Sequence, residues 1–316
     1  MALFTLDGVD RRQSPSAKFR DTKQYEGSMR LCRFNDNRLG LVLEDHVFDV
    51  SDVLDTLPQY RYPLPRFDPF IARLDELMPQ IHARAKNAKA LPLSNIQILS
   101  PVASPGKIIA APVNYQKHLI EARADPGIHH ANQIAEIQKV GLFLKATSSL
   151  IGPSHGVVIR HSERRNDHEI ELAVVVGKNV DGASEEEAMD LVAGYCIGLD
   201  MTMRGSEERS LRKSLDTFTV FGPWMVTADE FAEHLPTQLT LRVNGEVRQS
   251  ASTADLIMGI PELIAYASRF YTLLPGDVLL TGTPEGVSPV HAGDVMTASI
   301  GHIGSMTVEV RADCND

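Results

Sequence analysis

The segment Glu169-Ile170-Glu171-Leu172-Ala173-Val174-Val175-Val176 constrains this chain more than any other. Its apolar, β-branched run reads as a strand. In a strand, residues two apart point to the same face, so Glu169 and Glu171 lie side by side at its start. Two like charges beside Val174, Val175 and Val176 repel each other. A hard divalent cation (magnesium, manganese or calcium) held by carboxylate oxygens relieves that repulsion. An edge strand showing two solvated glutamates fits the same segment equally well.

The 316 residues make room for roughly two domains of ordinary size. A hydrophobic fraction of 43% and a charged fraction of 23% are those of a globular protein. The net charge of −10 argues against a nucleic-acid partner, which needs a basic face. Attraction of an anionic ligand must then come from a local cluster or a metal. The cysteines, Cys32, Cys196 and Cys314, are far apart and odd in number. That pattern fits a reducing compartment and excludes a cysteine metal site. The first residues lack the basic flank and apolar core of a signal peptide, and no apolar run reaches the 18 residues of a membrane span. The expectation is a cytoplasmic protein with no membrane partner.

Along the chain, residues 1–28 are polar and mixed in charge, an expected N-terminal arm. From Met29 to Val50 short apolar runs alternate with the turn signals Asn35-Asp36-Asn37 and Glu44-Asp45, predicting a small antiparallel sheet. Residues 64–90 carry Phe70, Ile71, Leu74, Leu77 and Ile81 at helical spacing. Pro92, Pro101 and Pro105 mark a linker, which divides the chain into an N-terminal α+β domain over 29–100 and a larger domain over 101–316. In the latter, Lys107–Val113 reads as a buried strand, and a helix carrying His118 and Glu121 follows. Residues 124–139 read as a loop with a short helix. Ser184–Glu187 and Thr227–Glu230 have the capping-box pattern that opens helices. Asn244-Gly245 signals a hairpin. Many short strands, few helices and no βαβ rhythm predict a β-rich α+β fold and not a Rossmann sheet.

Other side chains join the two glutamates as candidates. Asp200 ends the apolar run Gly194–Leu199 and can complete a three-carboxylate shell of the kind magnesium prefers; a turn or helix-cap aspartate is the plainer reading. His118 and Glu121 are i, i+3. On one helix face the carboxylate holds the imidazole in one tautomer, as a water-activating base requires; an ordinary surface pair has the same spacing. Thr281-Gly282-Thr283-Pro284-Glu285-Gly286 is a glycine-rich turn whose N–H groups and hydroxyl can hold a carboxylate. It lacks the Gly-Lys-Ser/Thr ending of a phosphate loop, and Leu172 breaks a zincin motif at His168-Glu169.

The succession Asn114–Glu121, Phe143-Leu144-Lys145, Glu169–Leu172, Asp200 to Arg204, Lys213–Phe218, Gly222-Pro223, Asn244-Gly245-Glu246 and Pro275-Gly276-Asp277 to Gly282-Thr283-Pro284 resembles the fumarylacetoacetate hydrolase family, from about residue 105 to 310. The resemblance implies a mixed β-roll catalytic domain and a Mg²⁺ or Mn²⁺ ion on Glu169, Glu171 and Asp200. It also implies a catalytic His118–Glu121 dyad with Lys213 near the substrate, and Lys145, Arg204, Gly282 and Thr283 close to the pocket. Many members are homodimers acting on small 2-oxo or β-diketo acids. The implied reaction is hydrolysis of a C–C bond in an acylpyruvate-like acid. Decarboxylation, isomerisation or hydration of 2-oxo acids on the same site are its alternatives, and a metal-stabilised binding protein without turnover is a rival of another class. The chain departs from the family pattern at Gly205, Glu207 and Leu119 and in the short stretch from Asp200 to Lys213. Glu207 is expected to disfavour an extra substrate carboxylate by like-charge repulsion.

Overall fold

A computed structural model describes residues 30–130 and 134–313, so the expected arm over 1–28 and Cys314 lie outside the described residues. The strands in chain order are β1 (Arg30–Phe34), β2 (Arg38–Leu43), β3 (His46–Asp49), β4 (Ala90–Pro92), β5 (Ile98–Leu99), β6 (Ile108–Ala110) and β7 (Phe143–Lys145). Then come β8 (Leu150–Ile151), β9 (Val157–Ile159), β10 (Asn166–His168), β11 (Ile170–Val176), β12 (Val192–Asp200), β13 (Thr202–Met203) and β14 (Thr219–Thr227). The chain ends with β15 (Gln238–Val243), β16 (Glu246–Ser252), β17 (Val278–Leu280), β18 (Ser288–Pro289), β19 (Val295–Ile300) and β20 (Gly304–Ala312).

Twelve strands form one large sheet in the order β4-β3-β2-β1-β14-β12-β11-β17-β6-β7, with β5 on β1 and β8 on β14. Its pairings are antiparallel except β17 with β6 and β14 with β8. A five-stranded sheet, β16-β15-β19-β20-β9, and a three-stranded one, β13-β10-β18, complete the β-rich fold. Because β1 pairs with β14, the strands before residue 100 extend the same sheet that carries Glu171.

The position of β11 settles how its glutamates sit. It lies between β12 and β17, and all of its residues are buried, so the solvated-edge reading fails. Ile170, Leu172, Val174 and Val176 enter one hydrophobic cluster, while Ala173 and Val175 enter a second on the opposite face. Each such aliphatic side chain contributes about 1.5–3 kcal/mol on burial. That packing holds the strand in the one register that aims Glu169 and Glu171 together.

Three local expectations are revised. The helix predicted across 64–90 is confined to Leu74–Ala85, preceded by a short 3₁₀ turn. Pro65 and Pro69 in the preceding stretch lack the N–H groups a helix needs and restrict the residues before them. The capping box at Ser184–Glu187 forms, but Thr227 opens its helix without a side-chain cap bond. The described residues of 124–140 hold two short helices, Pro126–His129 and Ile137–Val140. Asn244 and Gly245, both at positive φ, make the two-residue turn between β15 and β16.

Candidate active site

The antiparallel pairing of β11 with β12 sets Ile170 opposite Leu199 and Glu171 opposite Gly198. One step beyond the ladder, the Asp200 N–H donates to the Glu169 carbonyl at 2.9 Å. Cross-strand partners share a face, so Asp200 joins Glu169 and Glu171 there. One oxygen from each of the three buried carboxylates lies within 4.8 Å of the others. An all-oxygen, carboxylate-only donor set of this size fits a hard divalent cation.

The surrounding cations divide unequally among the three. Lys213 Nζ donates at 2.6 Å to both Glu169 and Asp200, and Arg204 donates to Glu169 at 2.8 Å. Burial alone would raise the Glu169 carboxyl, but the charges of Lys213 and Arg204 hold it well below the usual carboxylate range. Glu171 has no cation in hydrogen-bonding contact among the described residues; its one bond is from the Gly282 N–H, at 2.6 Å. Burial, then the charges of Asp200 and Glu169, push its carboxyl well above the ordinary value. A buried anion beside two others is the arrangement that a bound cation stabilises.

Across the same cleft stands His118, on the helix Gln116–Ala124. Its Nδ1 is 2.8 Å from Glu121 Oε2, and the other oxygen of Glu121 accepts the Gly286 N–H at 2.9 Å. The helical i, i+3 spacing thus forms a working pair, with Nε2 left for the cleft. Phe143, Thr283, Arg204, Arg209, Arg212 and Lys213 line the rest of the wall.

Several residues expected at the substrate turn out to hold the carboxylates. Lys145 is buried behind Asp200: its Nζ donates to Asp200 at 2.5 Å, to the Phe218 carbonyl at 3.0 Å and to the Lys213 carbonyl, and it does not line the cleft. Burial lowers its pKa, with Asp200 acting in the opposite direction. Gly282 sits at φ +97°, where a Cβ would meet that of Asn114 at 2.6 Å, and its N–H is aimed at Glu171. Thr283 lines the cleft while its hydroxyl bonds the Ile170 carbonyl and Gln249. Arg204 spans Asp167 and Glu169, each at 2.8 Å.

Glu207 corrects a further expectation. Arg164 grips both of its oxygens at 2.9 Å, which holds its carboxyl down at about 2, and Glu207 is not part of the cleft wall. The pairing with Arg164 offsets its charge and weakens the repulsion expected of it, although Glu207 lines the adjoining hollow with Phe143, Arg209 and Arg212. Sequence reasoning missed Arg209 and Arg212 and named Phe143 only within the Phe143-Leu144-Lys145 motif. The signal was present for the arginines: Arg209, Arg212 and Lys213 stand at i, i+3 and i+4, one face of the short helix Arg209–Lys213.

This fold and acidic cleft belong to a recognised class, for residues 107–311 match the fumarylacetoacetate (FAA) hydrolase C-terminal family. The chain belongs to that family. It is 54% identical over 286 residues to the maleylpyruvate hydrolase of Aquipseudomonas alcaligenes, covering 90% of this chain and 100% of the relative. A mitochondrial oxaloacetate tautomerase of Xenopus laevis is 33% identical over 89% of both chains. Among solved structures, maleylpyruvate hydrolase from Sphingobium sp. SYK-6, in complex with manganese(II) and pyruvate, is 38% identical with a TM-score of 0.76. That match covers 90% of this chain and 99% of the Sphingobium chain.

Proposed function

We propose that this chain is a divalent-metal-dependent hydrolase that splits the C3–C4 bond of an acylpyruvate such as maleylpyruvate, giving pyruvate and a carboxylic acid. The observation that carries this reading is the buried Glu169–Glu171–Asp200 triad facing the His118–Glu121 pair across one cleft. The names of the relatives from Aquipseudomonas and Sphingobium support it.

Glu169, Glu171 and Asp200 would hold Mg²⁺ or Mn²⁺, which when bound supplies Lewis-acid stabilisation to the charge that develops on the 2-oxo oxygen. Lys213, on the cleft wall with its Nζ donating to Glu169, Asp200 and the Thr202 hydroxyl, would stabilise the same charge through its own positive charge. His118 Nε2 takes a proton from the water that attacks the C4 carbonyl. Glu121 keeps the Nδ1 proton in place and stabilises the imidazolium, and the Gly286 N–H keeps Glu121 in place. The C3–C4 bond then breaks, the leaving carbon is protonated at C3, and one water is consumed.

The remaining parts of the proposal are a homodimer in the cytoplasm, with residues 101–316 as the catalytic unit and residues 29–100 as an appended α+β domain. Exposed Val140, Leu144 and Leu211 offer apolar surface for self-association. The buried free thiols Cys32 and Cys196 support a reducing compartment. Among the described residues, no helix is long and apolar enough to cross a membrane.

The test is the metal-dependent loss of acylpyruvate ultraviolet absorbance. His118→Ala should lower hydrolysis about 10²–10⁴ fold while leaving manganese binding intact. An alanine variant that hydrolyses at the wild-type rate removes the base from the mechanism. One that still ketonises oxaloacetate but splits no acylpyruvate moves the reading toward the tautomerase relative.

A further inference from the structure

Among the described residues, Arg209 is the cleft cation that donates to no carboxylate or carbonyl. Arg204 is engaged with Asp167 and Glu169, Lys213 with Glu169 and Asp200, and Arg212 with the carbonyls of Glu207 and Met203. Among the described residues, no carboxylate or carbonyl lies within bonding distance of the Arg209 guanidinium; its opposite charges, Glu208, Glu169 and Asp200, act at longer range. The side chain is half-buried, and burial lowers its pKa. A guanidinium withdrawn from water without a counter-ion is unfavourable until an anion arrives.

Its placement is equally specific. The guanidinium lies over the Phe143 ring, 5.4 Å from the centroid, and Lys213 Nζ is 5.4 Å from the same centroid. The two cations are therefore no more than twice that distance apart. Lys213 marks the end of the cleft where the carboxylate triad sits; Arg209 marks a second position, within reach of a diketo acid of a few carbons. The cation–π contact with Phe143 holds the guanidinium at the cleft wall, and its N–H groups, bonded to no carboxylate or carbonyl among the described residues, suit a bidentate carboxylate. The neighbouring acid that would repel such a carboxylate, Glu207, has both oxygens paired with Arg164, which offsets its charge.

We infer that Arg209 receives the distal carboxylate of a dicarboxylic diketo acid, so that the chain selects diacid over monoacid acylpyruvates. The inference rests on the acylpyruvate reading above and deepens it by naming the substrate class. Arg209 is a specificity residue; the bond-breaking groups are those at the triad and His118.

Two measurements test it and separate its failure from failure of the hydrolase reading. The first compares kcat/KM for fumarylpyruvate and acetylpyruvate in the manganese-loaded wild type, Arg209→Gln and Arg209→Lys. The diacid-to-monoacid ratio should fall roughly 10–100 fold in Arg209→Gln, mainly through KM, the usual worth of hydrogen bonds to a charged group. Arg209→Lys, with charge but no fork, should fall in between. An equal loss for both substrates means a structural role and overturns the assignment, as does an unchanged ratio. The second measures calorimetric binding of 2-oxoadipate and 2-oxohexanoate, which differ at the terminal carboxylate and are not cleaved. Wild type should prefer 2-oxoadipate, and Arg209→Gln should lose that preference. Should no acylpyruvate be hydrolysed, this pair still decides the matter: a preference that depends on Arg209 upholds the subsite, and equal binding by wild type overturns it.

Discussion

Glu171→Gln should make the metal-free protein more stable and abolish its response to metal. The triad oxygens lie within 4.8 Å of one another. At an effective permittivity of about 20, each pair of unit charges at that distance costs roughly 3.5 kcal/mol. Glu171 faces two such partners and has no hydrogen-bonded cation of its own, while Lys213 offsets part of the repulsion at longer range. Glutamine keeps the acceptor for the Gly282 N–H and removes the charge. Linkage fixes the pH dependence. The Glu171 pKa is raised on folding, so the stability it contributes is fully present below its unfolded value, near 4.5, and is lost as pH rises through the folded value. Without metal, wild type should therefore lose Tm as pH rises over that window, and Glu171→Gln should lose less. Saturation of wild type with Mn²⁺ at about 100 times Kd adds about 2.7 kcal/mol, or roughly 5 °C in Tm. The variant should show no such shift. Differential scanning fluorimetry at several pH values, with and without Mn²⁺, reads all of this. A variant that melts several degrees below wild type without metal, or keeps the Mn²⁺ shift, refutes the reasoning.

Two further outcomes follow from the same contacts. Gly282→Ala should lower both Tm and Mn²⁺ affinity, because alanine at φ +97° is strained and its Cβ would meet that of Asn114 at 2.6 Å, displacing the N–H that Glu171 accepts; titration calorimetry and a melt check it. Lys145→Met removes one partner of a buried ion pair and should cost about 3 kcal/mol, roughly 6 °C in Tm, with weakened metal binding, although Lys145 does not line the cleft.

How much of this was readable from the sequence depends on the range of the interaction. The Glu169–Glu171 parity follows from strand geometry, and the His118–Glu121 pair from helical spacing. Both are local rules, and the structure brings Glu169, Glu171 and His118 to one cleft, with Glu121 bonded to the imidazole. Asp200 needed more: its place beside Glu169 comes from the β11–β12 register, which no local pattern encodes. The same limit hid the union of β1 with β14, residues nearly two hundred positions apart, and with it the continuity of the large sheet. Lys145 and Gly282 were found as residues of the site, but a motif match does not say which way a side chain or an N–H points. Their roles as supports for Asp200 and Glu171 became visible only with hydrogen bonds. Arg209 went unremarked because a cation in a short polar stretch looks solvated until the ring of Phe143 is seen beside it.

The central claim is that water, activated across the cleft from the carboxylate triad, adds to C4 and the C3–C4 bond then breaks. Turnover of maleylpyruvate by the Mn²⁺-loaded protein in ¹⁸O-labelled water, followed by mass spectrometry of the products, tests it directly. One solvent oxygen should appear in the carboxylate newly formed on the maleyl fragment, released together with pyruvate. Consumption of the substrate with release of carbon dioxide, or its isomerisation without a labelled diacid, would contradict it.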